Sequence, residues 1–262
     1  MSTFDTARLD AALRGTIFHG KLHHFATVDS TNTRALADAQ VGAEAGQVYL
    51  ADEQTAGRGR GGHSWHSEPD RGLYLTVLVR PTIKGNEALK LSLATGIAAA
   101  DAIHAVTGRS IDLRWPNDLV IAEDHGPSRK CGGVLTESAL TPDGSLRHAA
   151  IGIGINLNQA EFPPDLSEAA TSLKRAWGHT VSREDLAITL LLALHTELEY
   201  PDTTLYDRFE QRSTWARGKH VRVAEDEGYT GTTAGLTSDG LLRVQCDDGE
   251  TRIVRHGGVR EL

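Results

Sequence analysis

The sequence predicts an α+β fold, with a mixed, mostly antiparallel sheet and helices, followed by a small all-β module. Three observations predict it. Strand-like and helix-like stretches are intermingled without the strict alternation of a doubly wound parallel sheet. Two long stretches repeat apolar residues at steps of three and four, the period of a helix face. After Gly218 the pattern turns to short runs divided by Asp-Gly pairs, the signature of tight hairpins.

In chain order, residues 5–14 read as a short helix and 21–28 as a strand. Asp29, Ser30 and Thr31 are residue types that cap helices, so a helix is expected to start there and run through Arg34-Ala35-Leu36-Ala37. Residues 47–52 and 72–79 read as strands on either side of a glycine-rich loop. In 86–107, Leu89, Leu93, Ile97, Ala100 and Ile103 share one helix face. Strands are expected near 112–121, 132–137 and 147–157, then helices over 183–199 and 203–214. Leu186, Leu190, Leu194 and Leu198 form the stripe of the first of these helices. Four short strands follow at 219–224, 229–237, 241–246 and 250–255, with Asp239-Gly240 and Asp248-Gly249 as turns. The expected division is a catalytic domain over 1–216 and a β-domain over 217–262.

At 262 residues the chain has room for one large and one small domain. Its 39% apolar and 24% charged residues are those of an ordinary folded protein. No stretch reads as the ~18–20 apolar residues of a membrane helix. The first ten residues carry acids and no apolar core, so no secretory signal is expected there and a cytoplasmic protein is. A net charge of −8 argues against DNA or general nucleic-acid binding, which needs clustered Lys and Arg. Cys131 and Cys246 have no metal-ligand spacing and are expected to be buried thiols. Only six of the 27 basic residues are Lys, so a Lys within a glycine-rich segment invites a chemical explanation.

Four segments carry candidate chemistry. In Gln54–Trp65 the glycines let the backbone approach a ligand, Arg58 and Arg60 offer planar cationic forks, and Trp65 can cover a ring. The spacing is not that of a nucleotide P-loop, and a solvated basic loop is the alternative. Arg114-Trp115-Pro116-Asn117-Asp118 reads as a rigid turn at a strand end that fixes Asn117 and Asp118; an ordinary turn is the alternative. Lys130, just before Gly132-Gly133, can aim an ammonium at an anion, or simply be exposed on a hairpin. Its neighbour Cys131 points to the opposite face of a strand, which argues against an acyl-transfer pair. In residues 151–158 the odd positions are Ile151, Ile153, Ile155 and Leu157, and the even ones Gly152, Gly154, Asn156 and Asn158. One face is core; the other is a bare floor, for a ligand or for a packed helix.

Taken in order, these segments resemble the biotin–protein ligase family. The match comprises Ser30-Thr31-Asn32, Gln54 with Gly57-Arg58-Gly59-Arg60 and Trp65, Trp115-Pro116-Asn117-Asp118, Lys130 with Gly132-Gly133, and Gly152 and Gly154 with Asn156. The resemblance implies a catalytic domain like that of class II synthetases and an SH3-like C-terminal barrel. It implies that biotin and ATP, with Mg²⁺, form biotinyl-5′-AMP, and that a lysine of a biotin carboxyl carrier protein then accepts the biotinyl group. Joining two anions needs fixed cations, and Arg58 and Lys130 fit that catalytic role. Ser30, Thr31, Asn32, Gln54, Gly57, Arg58, Arg60, Lys130 and Gly133 are implied to hold biotin. Arg60, Trp65, Asn117, Lys130 and Asn156 are implied to hold the nucleotide. Asp118 is the candidate to take the proton of the attacking amine. No metal ligand is assigned, and the expected state is a monomer or homodimer.

Two positions depart from the family pattern. Arg114 stands where the family often has Lys, and His63 where the loop commonly carries Arg, so a looser hold on the adenylate is expected. With 29 residues before Ser30, no DNA-binding domain and no repressor function are expected. The rival readings are a lipoate or octanoate ligase, a non-catalytic biotin or nucleotide binder, and a basic-loop RNA binder.

Overall fold

The apolar alternation of the central strands and the helical stripes settle into two sheets joined by one continuous core. The computed structural model describes residues 4–123, 126–199, 203–225 and 228–262. Helix α1 (Thr6–Ala12), strand β1 (Leu22–Val28), helix α2 (Thr31–Gln40), β2 (Val48–Gln54) and β3 (Gly72–Val79) come first. Helix α3 (Leu89–Thr107), β4 (Asp112–Arg114), β5 (Asp118–Ile121), β6 (Arg129–Leu140) and β7 (Leu146–Asn156) follow, then helices α4 (Leu173–Trp177), α5 (Arg183–Glu199) and α6 (Leu205–Arg212).

The seven strands pair in the order β1-β2-β3-β7-β6-β5-β4. Only β1 and β2 run parallel, so the sheet is mixed and mostly antiparallel. Its two faces are covered differently. Leu75, Val77, Ile151, Ile153 and Ile155 point into the large core with the apolar stripes of α3 and α5. On the opposite face, α2 packs Ala35 and Ala39 onto Tyr49, Leu78 and Ala150. Because side chains alternate along each strand, Thr76, Gly152 and Leu135 form one cross-strand row of this second face. Tyr74, Gly154, Gly133 and Asp118 form the next. Helix α2 covers only part of this face, and the remainder is where the candidate site lies.

The second sheet begins at Arg217: β8 (Arg217–Val223), β9 (Tyr229–Leu236), β10 (Leu242–Cys246), β11 (Thr251–Val254) and β12 (Val259–Glu261), in the order β11-β10-β9-β8-β12. It has five strands where four are expected; β12 is three residues long, too short for a readable alternation. The strand expected near 112–121 is two, β4 and β5, folded back as a hairpin with Arg114 opposite Asp118. Pro116, which cannot donate to a ladder, sits at the bend. Helix α4 is also absent from the expectation; five residues leave no period to read.

One expectation is corrected. By length and composition, Gly85–Thr107 is long and apolar enough to cross a membrane. Most of it is buried inside the protein, with Leu93, Ile97 and Ile103 fully enclosed, so it is the core helix.

Candidate active site

A cleft opens on the uncovered face of the large sheet. Its floor is β6 and β7, its head is the N-terminus of α2, and its roof is the loop between β2 and β3. Ser30, Thr31, Asn32, Gln54, Arg58, Arg60, Trp65, Asn117, Lys130 and Gly133 all line it. Gly57, Asp118 and Asn156 are not among its lining residues; Asp118 and Asn156 flank it in the same sheet, opposite Gly133 and Gly72.

At the head, Ser30 is the N-cap of α2, extended and buried, yet its hydroxyl makes no capping bond to the helix. A buried hydroxyl released from that duty is available to a ligand. Gln54 is committed to the protein. Its Oε1 accepts from the Thr31 N–H at 2.9 Å and hydroxyl at 3.0 Å, and its Nε2 donates to Ser67 Oγ at 3.1 Å. It therefore staples the start of α2 to the returning arm of the roof loop. Thr76, which the sequence reading missed, places its hydroxyl 2.8 Å from Thr31 Oγ1 and 2.6 Å from Asn32 Oδ1.

The glycine floor has a steric cause. A Cβ on Gly152 would lie 2.3 Å from Asn32 Oδ1, and one on Gly154 would lie 2.6 Å from the Trp65 indole. The first tenants of the floor are thus protein side chains. The Trp65 Nε1 is buried with no partner, and the Lys130 ammonium lies 5.5 Å from the centre of its ring. The roof is an ordered hairpin. Trp65 N–H donates to Gly57 O at 2.9 Å, Arg58 pairs with Ser64, and Gly61 and Gly62 turn the tip with φ of 68° and 81°. Gly57 is enclosed, since a Cβ there would meet Trp65 O at 2.6 Å.

Three cations converge on the cleft, each already holding a protein partner. Arg58 Nη2 donates to Glu137 Oε2 at 2.6 Å. Arg60 Nη1 donates to Gly257 O of the small domain at 2.5 Å. Lys130 Nζ lies 2.5 Å from Asp118 Oδ1. Arg114 closes on the other oxygen of Asp118 through Nε at 3.1 Å and Nη2 at 2.7 Å. Burial works against ionisation of Asp118, but the charges and hydrogen bonds of Lys130 and Arg114 outweigh it and hold the carboxyl below its ordinary range. A carboxylate so held is a weak base, several units from an amine near ~10.4. The surroundings of Asp118 fit a counter-ion better than the proton acceptor expected from sequence. Asn117 Nδ2 donates to Val134 O at 2.8 Å, fixing the turn against β6. Asn156 is buried; its Nδ2 donates to Thr171 O at 3.1 Å and its Oδ1 accepts from Gln159 Nε2 at 3.4 Å, so its amide already holds protein partners. Cys131 is fully buried against Leu119 O, and burial pushes its thiol up to about 12. That removes it from nucleophilic chemistry.

Among the described residues no group of three or more His, Cys, Asp or Glu side chains could hold a metal ion. The one buried acid beside the cleft, Asp118, is already matched by two cations. These residues do not build a cage for Mg²⁺.

Known proteins resemble this chain in sequence and in fold. Residues 24–156 match the model of the biotin/lipoate A/B protein ligase family, and residues 217–258 that of the biotin protein ligase C-terminal domain. The biotin–[acetyl-CoA-carboxylase] ligase of Mycobacterium tuberculosis is 34% identical over 247 residues, 90% of this chain and 87% of that protein. The bifunctional ligase/repressor BirA of Bacillus spizizenii is 32% identical over 86% of this chain and 70% of its own length. The solved biotin protein ligase of Aquifex aeolicus, in complex with biotin and ATP, superposes with a TM-score of 0.73 at 28% identity, covering 92% of this chain and 97% of that one.

Proposed function

This chain belongs to the biotin protein ligase family, and from that premise we propose how its own residues carry two steps. The first joins biotin to ATP as biotinyl-5′-AMP; the second moves the biotinyl group to a specific lysine of a biotin carboxyl carrier protein. The observation that carries the reading is the convergence of Arg58, Arg60 and Lys130 on one cleft whose head is the buried Ser30 hydroxyl.

In the first step a biotin carboxylate oxygen bonds to the α-phosphorus, the bond to the bridging oxygen breaks, and pyrophosphate leaves. Ser30 and Thr31 read the polar ring of biotin at the cleft head. Arg58, Arg60 and Lys130 offset the charge of carboxylate and phosphates as the two anions meet. Trp65 and the roof hairpin exclude water from the mixed anhydride, which would otherwise hydrolyse. In the second step the neutral amine of the carrier lysine attacks the acyl carbon, the bond to the AMP oxygen breaks, AMP leaves, and the nitrogen gives up one proton to bulk water. Asp118 holds Lys130 at the anhydride. Among the described residues no protein cage for a divalent cation is found; Mg²⁺ would arrive on the nucleotide's own phosphates. The name of the Mycobacterium tuberculosis relative points to a carboxylase carrier as acceptor.

The test is exchange of label between pyrophosphate and ATP. Exchange that requires biotin and is absent with lipoate is the expected result. Lipoate-dependent exchange transfers the chain to the other branch of its family, and no exchange with either acid refutes the reading.

A further inference from the structure

Glu137 lies outside the motifs that carry the resemblance, yet it touches two of them. It is on the cleft face of β6, two and four positions beyond Leu135 and Gly133, which line the cleft. Its Oε2 accepts from Arg58 Nη2 at 2.6 Å and from Asn32 Nδ2 at 2.9 Å. Asn32 in turn accepts from the Thr76 hydroxyl at 2.6 Å and rests on Gly152. One carboxylate oxygen therefore joins the roof cation to the side chains at the cleft head. Glu137 and Arg58 also wall a second hollow beneath the roof, with Gly61 and His63.

We propose that Glu137 is a positioning residue: it holds Arg58 over the cleft before any anion arrives, and it ties that cation to the head-group end through Asn32. This rests on the reading of the cleft as the biotin adenylation site. A guanidinium carries five N–H donors, and the Glu137 contact uses Nη2. The remaining donors stay available to the carboxylate while the side chain is already ordered, so less freedom is lost on binding. The pair is partly exposed, with 42% of the Arg58 side chain and 28% of the Glu137 side chain accessible. Screened pairs of this kind add little to global stability. The effect therefore belongs in roof order and substrate capture.

Two measurements on the full chain test this. In the unliganded protein, Glu137→Ala speeds tryptic cleavage after Arg60 by about five-fold. In steady state it raises the biotin KM about five-fold while kcat stays within about two-fold. Glu137→Gln, which keeps a neutral acceptor of the same shape, falls between the two and carries the comparison alone if the alanine variant fails to fold. Arg58→Ala/Glu137→Ala has the same KM as Arg58→Ala, because Glu137 acts through Arg58. Unchanged cleavage and KM overturn the proposal, as does a double variant whose losses multiply. Cleavage is read without substrate, so a wild-type chain that failed to activate biotin would sink the adenylation reading and leave the Glu137–Arg58 latch separately decided.

Discussion

Replacing Asp118 with Asn separates two accounts of the transfer chemistry. The carboxylate is 7% exposed and Arg114 is 8% exposed, while Lys130 keeps 32% of its side chain accessible. Asp118→Asn keeps the shape and removes the charge, leaving a buried guanidinium without its ion-pair partner. Breaking a buried pair in this way costs about 3–5 kcal/mol; the Lys130 half is screened, so the lower end applies. At roughly 2–4 °C per kcal/mol for a chain of this size, the melting temperature at pH 7 falls by about 6–12 °C. Lys130, released from its 2.5 Å contact, no longer points at the reacting atoms, and misplacement on that scale slows chemistry by about ten-fold or more.

Single-turnover formation of the adenylate and transfer from pre-formed adenylate are the assays, run beside thermal melts. Both steps and the melting temperature are expected to drop together. Loss of transfer alone, with adenylation and stability intact, would refute the counter-ion account and restore Asp118 as the proton acceptor. Acid supplies a second check. The folded carboxyl is held below its ordinary value, so its contribution is present above the unfolded pKa of about 3.9 and is lost as pH falls towards the folded one. The gap between the wild-type and Asp118→Asn melting curves is therefore constant near neutrality and closes below about pH 4.

Three further outcomes are expected. Ser30→Ala weakens biotin binding by about 1 kcal/mol, read by calorimetry, and leaves the melting temperature unchanged, because the hydroxyl does not cap α2. Gly154→Ala drives a methyl into the Trp65 indole; the roof hairpin lifts, Trp65 fluorescence shifts as the ring meets water, and adenylate leaks faster, whereas an unchanged spectrum would show that the indole does not rest there. Cys131, with its thiol pushed up to about 12, stays unreacted with a thiol reagent in the folded protein at pH 8 and reacts on denaturation.

What was legible in the sequence followed from short-range periodicity. The alternation of Ile151, Ile153 and Ile155 with Gly152 and Gly154 fixed the two faces of β7, because a strand buried on one side must repeat every two residues. The stripes of α3 and α5 were legible for the same reason at the helical period. The sequence could not say what rests on the glycine floor, because Asn32 and Trp65 reach it from α2 and from the roof hairpin. Nor could it give Glu137 a role. The residue closes the strand expected near 132–137, but its partner Arg58 is 79 positions away, and an acid near a strand end reads as solvated surface. Alternation put Asn156 on the face of Gly152 and Gly154, but it could not foretell the Thr171 O that its amide donates to, in a segment with no periodic pattern.

The small domain bears on the same question of what completes the cleft. The Trp115 indole, in the turn that presents Asp118, donates to Gly240 O at 2.9 Å. Arg60 of the roof donates to Gly257 O, and Glu261 accepts from the Ser128 N–H at 3.3 Å, two residues before Lys130. Arg260 brings a further cation to 3.8 Å from Asp118. Two of these contacts end on backbone carbonyls, which every residue carries, so no side-chain pattern in residues 217–262 could announce them. Their placement is selective all the same: the roof receives one tie, the turn two and the approach to the Lys130 strand one, and these three parts deliver the cations. The small domain therefore braces the parts that carry the cations without lining the cleft itself, and the geometry of Arg60 and Asp118 depends on the seating of a domain whose own sequence shows only strands and turns.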